Sequence, residues 1–119
     1  MSRYHPQPRR QRRFRRRLVR VLVDFQADGA PRCEYATTLG AGGLFIETEQ
    51  PLALDTLVRV RFRLPGGSLL HTIDGRVNWQ HRLEDVRAGD LRPSGMGVAF
   101  TNAAAAAQLA HELEQIGED

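Results

Sequence analysis

The sequence contains no lysine and only one cysteine, and each scarcity excludes a class of feature. All 17 basic residues of the 119-residue chain are arginines. Cys33 has no second cysteine to pair with, so an internal disulfide is excluded and a reducing, cytoplasmic location is expected. No apolar run approaches the roughly 18 residues that cross a bilayer, so we expect no membrane span.

Residues that carry catalysis or bind metals are also scarce. The four histidines have no cysteine or histidine neighbour at ligand spacing, so no metal site is predicted and each is expected to be a surface or partly packed side chain: His5, His71, His81 and His111. The chain has no Ser/His/Asp arrangement, carboxylate pair or phosphate-binding P-loop. We therefore expect neither an enzyme nor a cofactor.

Acidic residues are absent from the amino-terminal part of the chain. The first one is Asp24, whereas nine arginines lie between Met1 and Arg20. The segment from Met1 to Val23 carries +9, and the remainder carries −6 from eight arginines and fourteen acidic residues. We expect an anion to meet this basic segment. Residues 1–11 are predicted to be a flexible basic arm, and residues 12–119 to form one domain.

Alternating apolar and polar residues predict a chain of short strands. They are expected at residues 18–25, 32–39, 44–48, 57–64, 69–80 and 95–100. In the fourth strand Arg59, Arg61 and Arg63 alternate with apolar residues and indicate a solvated face, or a stripe that meets phosphate. Gly75 predicts a bulge in the fifth strand. Six antiparallel strands at this spacing favour a small closed or nearly closed barrel.

The end of the chain predicts a helix over about residues 103–116. Thr101 or Asn102 is expected to cap it. An apolar stripe at helical spacing is expected to pack on the barrel: Leu109, Leu113 and Ile116. Acidic residues near the helix end, Glu112 among them, oppose the helix dipole, so the last turn is expected to fray. The fold class is therefore all-β with a terminal helix.

Two features of the predicted barrel allow a functional or a structural interpretation. Residues 40–43 read Gly-Ala-Gly-Gly, which indicates either a tight turn alone or a place where a ligand or another strand approaches the backbone. Trp79 is either a packing residue or a surface on which a nucleotide base stacks. The sequence leaves both alternatives open.

The order of these motifs resembles the PilZ domain. An R-x-x-x-R pair precedes the first strand, and T-L-G-A-G-G-L-F-I follows the second. Then come L-P-G-G, G-R-V-N-W and a closing G-M-G-V-A-F ahead of the helix. The resemblance covers about residues 9–116 and implies a six-stranded barrel with a carboxy-terminal helix that senses the bacterial second messenger cyclic di-GMP.

The resemblance also implies which residues bind the ligand. Its arginine pair corresponds to Arg12 and Arg16, with Arg13 and Arg17 as the alternative register. Its second motif, an Asp or Asn, then Ser, then Gly, falls on positions that only in part agree with it: Thr38, Gly40 and Gly43. Only the last of the three is the family's residue.

Three functions remain open at this stage. The first is a receptor that binds cyclic di-GMP and signals through altered contacts with an effector protein. The second is a degenerate PilZ domain that has lost the ligand and acts as a protein–protein adaptor, which Thr38 and Gly40 favour. The third is nucleic-acid binding by the basic arm, which is disfavoured because the chain has only eight aromatic residues and no strand presents a row of them.

Overall fold

The fold consists of six strands followed by one helix. The computed structural model describes residues 16–27, 29, 31–82, 84 and 93–116. Its elements are β1 (Arg16–Gln26), β2 (Arg32–Gly40), β3 (Gly43–Glu47), β4 (Leu57–Arg63), β5 (Leu70–His81), β6 (Gly95–Phe100) and α1 (Ala103–Ile116). The predicted strands and helix agree closely with these bounds. The predicted arm at residues 1–11 lies outside the described residues.

The strands close into an antiparallel barrel in the order β1-β2-β3-β6-β5-β4. Consecutive strands form two meanders, β1–β2–β3 and β4–β5–β6. Two ladders between distant parts of the chain join the meanders: β3 pairs with β6, and Asp24–Gln26 of β1 pair with Arg59–Arg61 of β4. The prediction of a six-stranded antiparallel barrel with a carboxy-terminal helix is confirmed.

Strand alternation separates the core from the outer surface. In β4, Val58, Val60 and Phe62 are buried, whereas the intervening arginines are exposed. The same period of two operates in the regular parts of the other strands, because successive side chains of a strand point to opposite faces. Most of the core they build is an apolar cluster: Val21, Val23, Phe25, Ala36, Leu39, Leu44, Ile46, Val58, Val60, Phe62, Leu64, Ile73, Val77, Met96, Val98 and Leu109.

The irregularity in β5 lies elsewhere than predicted. Gly75 sits in regular register opposite Val58 and Phe100, and the register of the β5–β6 ladder shifts between Val77 and Trp79. The predicted bulge at Gly75 is therefore wrong in position. Gly75 is a glycine for a packing reason, because a β-carbon there would come within 2.6 Å of a methyl group of Val98.

The helix is capped as predicted but packs differently from expectation. The side-chain oxygen of Asn102 accepts a hydrogen bond from the Ala105 N–H at 3.0 Å, which makes Asn102 the N-cap. Leu109 is completely buried and Leu113 packs against the core. Ile116, the third member of the predicted stripe, is 41% exposed.

A buried pair between β5 and α1 contradicts two expectations. His71 is buried, and its Nε2 lies 2.6 Å from Oε1 of Glu112, which is also buried. The other carboxylate oxygen accepts backbone N–H groups of Ser68 and Leu69 at 3.2 and 3.4 Å. The hydrogen bond from His71 lowers the pKa of Glu112 below its ordinary value. Glu112 thus binds α1 to β5 and to the connection before it, and it is not a solvated charge that opposes the helix dipole.

The other histidines divide between core and surface. His81 is also buried, with Nδ1 3.0 Å from the carbonyl oxygen of Pro93, so the prediction of a surface or partly packed side chain is wrong for it. His111 is exposed as expected, and His5 lies outside the described residues.

Within the part of the chain that the structure describes, no helix is long and apolar enough to span a bilayer.

Candidate ligand-binding face

The structure places five of the seven candidate binding residues. Arg12 and Arg13 lie outside the described residues. Arg16 and Arg17 are the first two residues of β1. Thr38, Gly40 and Gly43 lie at the ends of β2 and β3, which a turn at Ala41 and Gly42 connects: these are the positions of the second family motif.

The register of the sheet brings the end of the arginine-rich segment to the glycine turn. Arg16 pairs with Gly40, and Gly40 pairs with Gly43. Thr38, two positions back along β2, pairs with Phe45. Directly paired residues share one face of a sheet. Candidate residues that lie far apart in the sequence are therefore neighbours in the barrel.

The same cross-strand row continues across the barrel. Gly43 pairs with Ala99 of β6, and Ala99 pairs with Arg76 of β5. Arg76 is exposed, so this row lies on the outside of the barrel. We call the cross-strand row of Gly40, Gly43, Ala99 and Arg76, in which Gly40 is itself buried, the glycine row.

Backbone packing alone accounts for the glycine at position 43. A β-carbon on Gly43 would overlap the carbonyl oxygen of Val98. The turn is also tied to β6, because the Phe100 N–H donates to the carbonyl oxygen of Gly42 at 2.9 Å. The one position that agrees with the family's second motif therefore needs glycine whether or not a ligand binds.

Aromatic side chains lie beside the glycine row. Phe45 and Trp79 both pair with Gly97, and their ring centroids are 5.6 Å apart. Trp79 is 42% exposed, so one part of the indole is available to solvent. The sequence left a packing role and a stacking role open for Trp79. The structure supports the first and leaves room for the second, because the ring packs on Phe45 and remains open on the outside.

The arginines of β4 lie across the barrel from β3, and two of them are paired with acidic side chains of the barrel. Arg59 donates to Asp74 at 2.8 Å, and Arg61 lies 3.8 Å from Asp24. Hydrogen bonding from Arg59 lowers the pKa of the Asp74 carboxyl. These contacts favour the interpretation of the β4 stripe as a solvated face.

Candidate catalytic groups are weak in the described part of the chain. The pKa of the Cys33 thiol is raised by partial desolvation and by its hydrogen bond with Asp24, which disfavours the thiolate that a nucleophile requires. No cluster of three or more histidine, cysteine or acidic residues suited to a metal occurs among the described residues. The arrangement is suited to binding through arginine, backbone and aromatic groups.

Arg76 and Trp79 are the neighbours of the motif that sequence reasoning undervalued. Both belong to the G-R-V-N-W segment, which lies far along the chain from the glycine turn. Their proximity to Gly43 depends on the β3–β6 and β5–β6 ladders. The signal available in the sequence was the outward position that strand alternation predicts for Arg76.

Comparisons with known proteins agree with this architecture. The family model of the PilZ domain matches residues 9–116. The fold is similar to the Bacillus subtilis inhibitor of motility MotI/DgrA, with a TM-score of 0.67 and 15% identity, over 86% of this chain and 48% of that one. The chain thus spans about half the length of that protein.

A second solved structure with the same fold is the PilZ domain of CeSA from a cellulose-synthesizing bacterium. Its TM-score is 0.59 at 16% identity, over 84% of this chain and 98% of that one. The comparison with curated proteins gives no match. Because the family model covers nearly the whole chain, and the closed six-stranded barrel agrees with it, this chain belongs to the PilZ domain family.

Proposed function

We propose that this chain is a receptor for cyclic di-GMP and that the ligand binds between the arginine-rich segment and the outer surface around the glycine row. The observation that carries the proposal is the pairing of Arg16 with Gly40, which joins the first family motif to the second. The PilZ family is one of cyclic di-GMP receptors, and the chain matches it over residues 9–116.

Arginine suits this ligand because cyclic di-GMP carries two phosphates and two guanines. A guanidinium pairs bidentately with phosphate oxygens or with the O6/N7 edge of guanine, and it also stacks on a base. Arg12 and Arg16 are proposed as the binding pair. Their register is supported because Arg16 pairs with Gly40 of the glycine row, whereas Arg17 pairs with Leu39, whose side chain is in the core.

The barrel supplies the opposite wall of the proposed site. Trp79 offers a partly exposed indole on which a guanine stacks, a contact worth about 1–3 kcal/mol per base in single-stranded nucleic-acid complexes. Thr38 is half-buried and retains one hydroxyl group, which both donates and accepts a hydrogen bond. Gly40 offers only backbone groups. The arginines and Trp79 therefore carry more of the binding than in members with a complete second motif.

Signalling follows from the position of the ligand between two parts of the chain. When the arginine-rich segment closes on the ligand, it changes the surface that the protein offers to an effector. Such a ligand-ordered segment is a common switching element, because the ligand's contacts favour one arrangement over another. The effector is expected to be another protein.

The direct test is isothermal titration calorimetry of the full chain with cyclic di-GMP at physiological salt, with GTP as the control ligand. We expect a saturable isotherm in the nanomolar to low-micromolar range. Arg12→Ala and Arg16→Ala are each expected to weaken binding by about tenfold or more, since hydrogen bonds to charged groups contribute roughly 1.5–3 kcal/mol.

Arg82→Ala is the matched control, because it removes one positive charge from an exposed arginine that pairs with Glu84. Its affinity should equal that of the unaltered chain. Unchanged binding in both Arg12→Ala and Arg16→Ala would overturn the assignment of these two residues. A flat titration up to about 100 micromolar would overturn the receptor proposal. A Kd at that concentration corresponds to a binding free energy of only roughly 5–6 kcal/mol in magnitude.

An adaptor that does not bind the ligand is the second candidate function. Its support is specific: Thr38 and Gly40 lack the side chains of the second motif, and packing against Val98 accounts for Gly43. If this candidate is correct, Thr38→Asn combined with Gly40→Ser should create binding in an otherwise inactive chain. If the unaltered chain binds, the same double substitution should instead tighten binding by roughly one to two decades.

A further inference from the structure

Arg76 differs from every other arginine whose side chain the structure describes. It is exposed on β5 and makes no hydrogen bond, ion pair or aromatic contact with the described residues. The other six described arginine side chains each have a partner: Arg20 with Tyr35, Arg32 with Thr48, Arg59 with Asp74, Arg61 with Asp24, Arg63 with Ser68, and Arg82 with Glu84.

The residues directly across from Arg76 in the sheet offer it no hydrogen-bond or ionic partner. Its two cross-strand neighbours are Leu57 and Ala99, neither of which carries a charge or a side-chain acceptor. Beyond Ala99 the row continues with Gly43 and Gly40, which add no side chain. Along this cross-strand row, no side chain larger than the methyl group of Ala99 stands between Arg76 and Gly40.

Trp79 lies on the same strand, three positions further along. The register shift between Val77 and Trp79 brings Trp79 opposite Gly97, on the outer face that Arg76 also occupies. A base stacked on the indole presents its edge toward the neighbouring side chains of that face. Because strand residues rise about 3.3 Å each, the backbone of Arg76 stands roughly 10 Å away along β5, a distance that a base and a long side chain span together beside the exposed Asn78.

We propose that Arg76 is a specificity-determining residue that binds the O6/N7 edge of the guanine stacked on Trp79 and thereby selects guanine over adenine. The inference rests on the proposed function. Both atoms of the guanine edge are acceptors and match the two parallel N–H donors of a guanidinium, whereas adenine places an amino donor at the same position.

A phosphate contact is the less fitting role for Arg76. Nine arginines already lie between Met1 and Arg20, so that segment supplies phosphate ligands in excess. The barrel lacks the Asp or Asn and the Ser of the family's second motif, because Thr38 and Gly40 stand there. Arg76, at the other end of the glycine row, supplies a group that recognises the base in place of those missing side chains.

The test compares cyclic di-GMP with cyclic di-AMP by calorimetry on the full chain and on Arg76→Gln. A glutamine pairs bidentately with the N6/N7 edge of adenine, so the substitution exchanges the preferred base. We expect the ratio of the two Kd values to move toward cyclic di-AMP by about 10- to 100-fold. Because Arg76 is exposed and has no partner among the described residues, the melting temperature should stay unchanged.

Two further variants separate base recognition from simple charge. Arg76→Lys keeps the charge but loses the bidentate fork, so it should weaken cyclic di-GMP as much as Arg76→Gln does. Arg82→Gln, the matched control, should leave both affinities unchanged. An Arg76→Lys variant that binds like the unaltered chain would identify a phosphate contact and overturn the inference.

The failure of this inference is distinguishable from failure of the proposed function. If the unaltered chain binds cyclic di-GMP while Arg76→Gln leaves the ratio of the two Kd values unchanged, only the role of Arg76 is refuted. If Arg76→Gln weakens the binding of both dinucleotides equally, the role of Arg76 is refuted as well. If the unaltered chain binds neither dinucleotide, the receptor proposal and the inference fall together.

Discussion

Gly43 shows how a single residue can match a ligand-binding motif for a reason unrelated to the ligand. The backbone of β3 approaches β6 so closely at this position that any side chain would meet the carbonyl oxygen of Val98. A close approach that depends on the missing β-carbon makes glycine obligatory for the fold. The agreement at this one position therefore carries less information about binding than Arg16 or Arg76 does.

Substituting Gly43 tests that interpretation. Gly43→Ala should reduce the free energy of unfolding by about 1–3 kcal/mol, because an overpacked site forces the backbone of β3 or β6 to move. Gly97→Ala is the control on the same outer face, where a β-carbon would meet only the side-chain oxygen of Asn78, at 3.1 Å, and the β-carbon of Trp79, at 3.5 Å.

Chemical denaturation of both variants measures the difference. We expect Gly97→Ala to lose less stability than Gly43→Ala, since the amide group of Asn78 can rotate away whereas a backbone carbonyl cannot. Equal stability of Gly43→Ala and the unaltered chain would contradict the packing explanation. Glycine at this position would then have to be attributed to the ligand.

The candidate site was partly visible at the level of residues. The resemblance to the family points to Arg16, Thr38, Gly40 and Gly43, because each family motif is continuous in the sequence. Arg76 could not be found in this way, since its place in the row depends on two ladders between strands far apart in the chain. Register between such strands is set by tertiary packing, which a pattern along one strand does not report.

At the level of elements, α1 is held by a carboxylate and not only by its apolar side chains. The Glu112 carboxylate accepts hydrogen bonds from His71 and from the backbone N–H groups of Ser68 and Leu69. Ser68 and Leu69 lie in the connection between β4 and β5. Gly67 leaves room for this carboxylate, because a β-carbon there would come within 2.8 Å of its oxygen. The connection and the helix are thus fitted to each other.

Removing this carboxylate should be costly. Glu112→Ala leaves the buried His71 and two partly buried backbone donors without their acceptor, so the free energy of unfolding should fall by about 3–5 kcal/mol. Glu114→Ala is the matched control, because Glu114 is exposed on the same helix and should change stability by no more than about 0.5 kcal/mol. Thermal or denaturant unfolding distinguishes the two.

The same carboxylate predicts how stability depends on pH. Because the folded state lowers the pKa of Glu112, the carboxylate stabilises the fold fully above the ordinary glutamate pKa of about 4.3. That contribution is lost as the pH falls through the lower, folded-state pKa. The stability difference between the unaltered chain and Glu112→Gln should therefore shrink below about pH 4. A difference that persists in acid would contradict the pairing with His71.

The elements themselves were largely predictable, and the contacts between them were not. Alternation predicted every strand, and Asn102 with the alanine-rich run predicted the helix. The burial of His71 and Glu112 was missed, because each residue is polar and gains its partner only when α1 docks beside β5. Local propensity and period report on one element at a time.

On the scale of the whole molecule, the barrel is two three-stranded pieces that close on each other. Residues 16–47 contain one meander and residues 57–100 the other. Each meander is built from pairings between strands that are consecutive in the chain. The ladders between the pieces are β3 with β6 and the short ladder from β1 to β4. Glu49 and Gln50, in the connection between the pieces, are exposed.

This division predicts that the chain can be cut and reassembled. Fragments 1–50 and 51–119, produced together with an affinity tag on one of them, should copurify and show the circular dichroism of the intact barrel, because both inter-meander ladders survive the cut. A cut between Thr72 and Ile73, inside β5, is the control and should abolish assembly. Recovery of the tagged fragment alone after the cut at Gln50 would contradict the prediction.

The glycine row crosses this division, with Gly40 and Gly43 in the first fragment and Ala99 and Arg76 in the second. A ligand that contacts both fragments would therefore stabilise the complex between the two separate polypeptides. At a concentration about 100 times its Kd, such a ligand adds about 2.7 kcal/mol to the assembled form, or roughly a hundredfold in the association constant of the halves. The divided protein would then report cyclic di-GMP through its own assembly, as a split sensor.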